Sequence, residues 1–126
     1  MMKVLEYILE RGGVVKVEAI PAPPANPSTV QGCFEKVLEH EIDNTTSIYK
    51  LVKMSLTSED WATWNFMQWF VKEQTEEETL ALDLLSKIKV AGGANAKDDA
   101  LYALDVDLKK TPDDATLAQD VTVENP

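Results

Sequence analysis

The sequence contains one cysteine and one histidine in 126 residues, and no apolar run reaches the length of a membrane span. A single cysteine, Cys33, excludes an internal disulfide, which favours a reducing interior. The first residues show no signal-peptide pattern, so we expect a cytoplasmic protein. Only His40 could serve Cys33 as a base, so we interpret Cys33 as a helix-face residue. His40 precedes Glu41 but is turned about 100° away from it on a helix, and we interpret it as a surface or interface residue.

Basic residues are also scarce. Twelve Lys and Arg stand against 22 Asp and Glu, which gives a net charge of −10. This balance argues against a nucleic-acid or membrane partner and suits the binding of cations. At this length the chain forms one domain at most.

The spacing of apolar residues predicts an all-α chain. Val15, Val17 and Ala19 alternate like a short strand, but the prolines that follow favour an extended crossover instead. We expect a capping box between Ser28 and Gln31. The polar segment 111–126 is expected to be a loose tail after a domain of residues 1–110. The predicted helices cover residues 1–11, Ser28 or Thr29 to Leu56, about Ser58 to Lys89, and about Ala96 to Lys110.

The third predicted helix carries a polar break in its apolar face. The expected face consists of Met67, Phe70, Gln74, Glu77, Ala81, Leu84 and Ile88. A buried glutamate without a partner costs several kcal/mol or stays protonated. The break therefore indicates either a mistaken register or a site, and we interpret it as a site. On this register Glu78 lies off the inward face.

The second predicted helix has a similar break at Glu41. Its expected face consists of Phe34, Val37 or Leu38, Glu41, Thr45, Ile48 and Val52. Glu41 lies 16 residues before Thr57 and Glu73 lies 16 residues after it, so an antiparallel hairpin brings Glu41 level with residues 73–77. Like charges this close need a cation among them, which predicts a metal site with Gln74 beside it. The alternative is that the glutamates at 73, 76 and 78 form a solvated face and only Glu77 points inward.

These residues resemble the bacterial non-haem ferritins. The matching segments, in the family's order, are Tyr7 to Gly13, Ile20 to Pro24, Leu38 to Glu41, Asn65 to Val71 with Glu73 to Gln74 and Glu76 to Glu78, and Leu104-Asp105. The resemblance implies a ferritin-like four-helix bundle, of which this chain supplies the second half: the end of one helix, a long crossover, a long antiparallel hairpin and a short C-terminal helix.

The resemblance also implies iron as the bound metal. Glu41 and Glu77 look like iron ligands of one half of a di-iron site, with Gln74 beside them. Glu73 and Glu76 are similar to the acidic residues of an adjoining third iron site. The sequence contains no Glu-x-x-His motif, so we expect an incomplete di-iron site. Met1 is then either an internal methionine of a longer chain or the start of a shortened relative.

Two functions remain open at this point. The first is an iron-storage subunit of a 24-subunit cage that oxidises Fe(II), which leaves open whether this chain has ferroxidase activity by itself. The second is a non-catalytic metal-binding or structural hairpin that self-associates, at least as a dimer.

Overall fold

The computed structural model describes residues 2–110, and this part of the chain is helical without any strand. The predicted all-α class is therefore confirmed. Met1 and the tail 111–126, whose looseness was predicted, lie outside the described residues. No helix between residues 2 and 110 has both the length and the apolar character needed to span a bilayer. The elements are α1 (Met2–Glu10), α2 (Val30–Thr57), α3 (Trp61–Val90), a single 3-10 turn (Gly93–Asn95) and α4 (Asp98–Leu108).

Residues 11–29 form the extended crossover that the prolines predict. Gly12 adopts a φ of +74° just after α1, a conformation that suits glycine at a helix C-terminus. The following amide, of Gly13, donates to the carbonyl of Ile8 at 2.8 Å and closes the helix end. Val14 and Ile20 are almost fully exposed, so the alternating segment does not pack as a strand.

The start of α2 differs in detail from the prediction. Thr29 is the N-cap, and its Oγ1 accepts a hydrogen bond from the backbone amide of Gly32 at 3.0 Å. The capping box between Ser28 and Gln31 is wrong, because the Gln31 amide donates instead to Glu35 at 2.7 Å.

The link between α2 and α3 is a tight turn. The start predicted near Ser58 is early by three residues, because Glu59 adopts a left-handed φ of 55° and interrupts the helical path. Asp60 caps α3: it accepts from the Thr63 amide at 3.0 Å and from the Thr63 hydroxyl at 2.7 Å. These hydrogen bonds, chiefly that of the hydroxyl, lower the pKa of Asp60. The short turn makes α2 and α3 an antiparallel hairpin, as predicted.

Helix α1 lies against the first half of α3. The Tyr7 ring stacks on Phe66 with centroids 4.0 Å apart and planes 8° from parallel. The Tyr7 and Thr63 hydroxyl oxygens are 2.9 Å apart. One turn earlier, Lys3 Nζ lies 3.5 Å from the centroid of a Trp69 ring, a cation–π contact. Residue numbers rise along α1 as their partners' numbers fall along α3, so the two helices run antiparallel.

The buried residues of α3 agree with the predicted face except at two pairs of adjacent positions, 77/78 and 84/85. Its buried residues are Met67, Gln74, Ala81, Leu85 and Ile88. Leu85 is buried where Leu84 was expected, and Glu77 is exposed where an inward position was expected. One residue corresponds to about 100° on a helix. Because Leu84 and Leu85 are identical residues, and Glu77 and Glu78 are too, the sequence pattern fits either member of each pair on the buried face. Packing against α2 decides which member is buried.

Candidate metal centre

Gln74 lies in the α2–α3 interface and is 8% exposed. Its Nε2 donates to three acceptors on α2: the Glu41 carbonyl at 3.1 Å, Glu41 Oε2 at 3.1 Å and Thr45 Oγ1 at 3.3 Å. The amide is oriented with nitrogen towards α2, because its oxygen would face a carbonyl and a carboxylate there. Glu41 and Gln74 are thus level along the hairpin, as counting from the turn predicts.

A second polar pair lies one turn further along the interface. The hydroxyl of buried Thr45 donates to Oε1 of Glu78, which is half-buried. Glu78 therefore faces α2, and the interpretation that it lies off the inward face is wrong. The sequence offered one signal for this pair, because Thr45 falls on the predicted apolar face of α2 between Glu41 and Ile48.

Glu77 lies near other negatively charged carboxylates. Partial burial and then the neighbouring carboxylates of Glu41, Glu73 and Glu76 raise the pKa of Glu77. These are the four carboxylates that the sequence predicts as metal ligands. A cation would relieve their mutual repulsion, and their oxygen donors suit a hard or borderline metal.

The predicted residues nevertheless do not all converge. Glu76 is exposed and lies 3.4 Å from Lys72 across one turn of α3, as expected for a solvated helix face. No group of three or more His, Cys, Asp or Glu within residues 2–110 is arranged to hold a metal ion. The structure brings Glu41 and Gln74 into contact and places Glu77 within electrostatic reach of Glu41. The role of the five residues as ligands stays a prediction.

The remaining candidate side chains are peripheral. Cys33 and His40 are both exposed on α2. Neither takes part in the polar contacts between the helices, in agreement with their interpretation as helix-face and surface residues.

The raised pKa of Glu77 leads to a pH-dependent effect on stability. Its ordinary value is 4.5. Because the folded-state pKa lies above that value, ionised Glu77 opposes folding above the folded-state pKa, and this penalty vanishes as the pH falls below 4.5. We expect Glu77→Gln to raise Tm by roughly 2 °C at pH 7 and to have no effect at pH 4, as for removal of an i,i+4 like-charge pair. Thermal melts followed by circular dichroism measure both values.

Glu39→Gln is the control of opposite sign. The Lys36 ammonium lowers the pKa of Glu39, so neutralising Glu39 removes a favourable interaction and should not raise Tm at pH 7. A Glu77→Gln protein with an unchanged or lower Tm at pH 7 would contradict the crowding of carboxylates around Glu77.

The chain combines a long crossover, an antiparallel helix pair and a carboxylate, that of Glu41, in the helix interface. This combination is typical of helical bundle proteins that carry carboxylate sites. A family model described as a ferritin-like domain matches residues 1–91, and the chain belongs to this ferritin-like family. The assignment predicted from the motifs is confirmed.

Curated relatives agree with the family. The chain is 31% identical over 108 residues to a bacterial non-heme ferritin of Escherichia coli O6:H1, a match that covers 86% of this chain and 64% of that protein. It is 40% identical over 90 residues to a bacterial non-heme ferritin of Campylobacter jejuni, which covers 71% of this chain and 54% of that one. The chain therefore spans less than two thirds of the length of these relatives.

Solved structures show the same fold. An open pore ferritin from the archaeon Archaeoglobus fulgidus superposes with a TM-score of 0.81 at 40% identity, covering 88% of this chain and 67% of that chain. A humanized archaeal ferritin gives a TM-score of 0.81 at 37% identity, covering 89% and 67%. The predicted ferritin-like helical fold is confirmed.

Proposed function

We propose that this chain is an iron-binding part of an iron-storage subunit and carries one half of a carboxylate iron site. The observation that supports this most directly is the contact of Gln74 Nε2 with the Glu41 carboxylate at 3.1 Å, at mid-height of the hairpin. Membership of the ferritin-like family supports iron as the metal. Iron is the stored substrate here as well as the ion that the site holds.

The proposed roles follow from the position of each side chain. Glu41 and Glu77 supply carboxylate oxygens to iron, and the Gln74 amide holds the Glu41 carboxylate in place. Glu73 and Glu76 add negative charge beside the site and draw cations towards it. A di-iron site needs more ligands than these, so oxidation of Fe(II) is proposed only for an assembly that supplies the others.

A titration with Fe(II) under anaerobic conditions tests this proposal. Calorimetry of the full chain should show saturable binding with a stoichiometry near one iron or fewer per chain. Absence of binding at millimolar Fe(II) would refute the proposed function and favour a structural hairpin. Absorbance after admission of air then reports whether the bound iron is oxidised.

We also propose that the chain self-associates in the cytoplasm, with the 24-subunit cage of ferritins as the expected form. Only four hydrophobic side chains are buried among residues 2–110: Met67, Ala81, Leu85 and Ile88. Along α2, Ile42, Tyr49 and Leu56 recur every seven residues and are 47%, 53% and 44% exposed. Such an apolar line on one helix face favours a partner surface, and a second copy is the partner that the family supports.

Tyr49→Glu tests this association. A charge in the middle of the apolar line should lower the mass measured by light scattering, by at least a factor of two at micromolar concentration, because an unpaired carboxylate is costly in an apolar interface. Lys50→Glu, one residue further and also on the surface, is the control and should leave the mass unchanged. A wild-type chain that is monomeric at this concentration would contradict the proposal.

A further inference from the structure

We infer that Thr45 and Glu78 are positioning residues that fix the Gln74 amide and, through it, the Glu41 carboxylate. The inference rests on the proposed iron site at Glu41. Neither residue is proposed as a ligand of the metal. Both act through hydrogen bonds that cross the interface between α2 and α3.

Several acceptors crowd around the amide nitrogen of Gln74. Gln74 Nε2 carries two N–H donors and faces three oxygens of α2 at 3.1, 3.1 and 3.3 Å. Two of these oxygens belong to Glu41 and cannot donate, since one is a carbonyl and the other a carboxylate oxygen. The third, Thr45 Oγ1, belongs to a hydroxyl that is able to donate or accept.

The Thr45 hydroxyl points its proton towards Glu78. An ionised carboxylate only accepts hydrogen bonds, so the contact with Glu78 takes the single hydroxyl proton of Thr45. The lone pairs of Oγ1 are then free to accept from Gln74. The hydrogen bonds run in one direction, from Gln74 to Thr45 and from Thr45 to Glu78. Glu78 therefore fixes the hydroxyl rotor, and the rotor fixes the amide.

Thr45 and Gln74 are both buried. Thr45 is 9% exposed and Gln74 is 8% exposed, so water competes little for these donors and acceptors. A flipped Gln74 amide would place its oxygen against the Glu41 carboxylate and the Thr45 lone pairs at once. Low local dielectric makes that arrangement costly, and the network holds one orientation.

The orientation of the Gln74 amide affects Glu41, the proposed iron ligand. Within residues 2–110, the Glu41 carboxylate accepts from Gln74 at 3.1 Å and from Asn44 Nδ2 at 3.4 Å, and both bonds go to Oε2. Both hydrogen bonds restrain Oε2, which leaves Oε1 available to a cation in the proposed site. Outer hydrogen-bond partners of metal ligands typically contribute 10–100-fold to metal affinity.

Three variants separate positioning from packing. Thr45→Val keeps the shape of the side chain and removes the hydroxyl, Thr45→Ser keeps the hydroxyl and removes a methyl group, and Glu78→Gln keeps an acceptor oxygen for Thr45. The probe is Co(II), titrated anaerobically into the full chain by calorimetry. The second readout is the pair of side-chain amide proton signals of Gln74 in the metal-free protein, followed by NMR with their exchange against solvent.

We expect Thr45→Val to bind Co(II) roughly tenfold more weakly and to lose the slow exchange of the Gln74 amide protons. Thr45→Ser and Glu78→Gln should stay within about threefold of wild type and keep slow exchange, because each retains the hydroxyl and its acceptor. Thermal melts of all three variants measure the stability that each loses. A loss of stability alone does not predict a change in Co(II) affinity or in the exchange of the Gln74 amide protons.

Two results would overturn the inference. One is a Thr45→Val protein with unchanged Co(II) affinity and unchanged Gln74 amide signals. The other is a Thr45→Ser protein as impaired as Thr45→Val, which would make the methyl packing the cause. If wild type binds no Co(II), the proposed iron site fails, and the Gln74 amide signals of Thr45→Val then decide the positioning role by themselves.

Discussion

Replacing Glu41 by Gln should weaken Fe(II) binding by the full chain by roughly 100-fold, at the upper end of the loss that removal of an outer hydrogen-bond partner causes. The substitution retains an acceptor oxygen for Gln74 Nε2, which lies 3.1 Å from the present carboxylate. It removes the negative charge that a hard cation requires. The change therefore separates metal binding from the hydrogen bond that joins the two helices. Anaerobic calorimetry with Fe(II) measures the loss directly.

Asp43→Asn is the matched control for this prediction. Asp43 lies two residues further along α2, about 200° around the helix from Glu41, and it is exposed. Both substitutions remove one negative charge, so a general electrostatic effect would weaken binding equally in both proteins. Equal losses would contradict a site at Glu41 and indicate diffuse attraction of Fe(II) to an acidic surface.

The level of Glu41 along the hairpin followed from the sequence alone. Two α-helices have the same rise per residue, so equal distances from Thr57 must end at equal heights. The observed contacts of Gln74 with Glu41 satisfy this count. A short link was the only further requirement, and the turn at Glu59 and Asp60 provides it.

The choice among the adjacent glutamates of α3 did not follow from the sequence. Glu76, Glu77 and Glu78 are chemically identical and lie in adjacent positions, so an apolar pattern does not distinguish which one faces α2. The choice depends on a specific partner, the Thr45 hydroxyl that donates to Glu78. The polar Thr45 on the apolar face of α2 marks one partner of this hydrogen bond, but periodicity does not indicate which glutamate of α3 accepts it.

Some helix ends could likewise be predicted from the sequence, and others could not. Gly12 follows α1 and Asp60 caps α3, in line with the residue preferences of helix ends. Ser28 and Thr29 were adjacent candidates for the cap of α2, and the expected capping box favoured Ser28, but the structure uses Thr29. The crossover was predicted by its prolines, because they disfavour a paired strand whatever the neighbouring alternation.

The largest effect on stability is expected at Ile88, which is 1% exposed. It is the only large side chain among residues 2–110 with less than 2% exposure. Ile88→Ala removes three carbon atoms from a core that contains few buried hydrophobic residues among residues 2–110. We expect a loss of about 2–4 kcal/mol in the free energy of unfolding, measured by urea denaturation at fixed protein concentration.

Val90→Ala, on the same helix two residues further, is the matched control. Val90 is 90% exposed, so its truncation creates no cavity and should change the free energy of unfolding by less than about 0.5 kcal/mol. The higher helix propensity of alanine partly offsets any lost contact at this position. A comparable loss for both variants would mean that Val90 is covered in the assembled protein. A small loss for Ile88→Ala would contradict the packing of the C-terminal half of α3. Truncation of a fully buried side chain leaves a cavity and therefore costs stability.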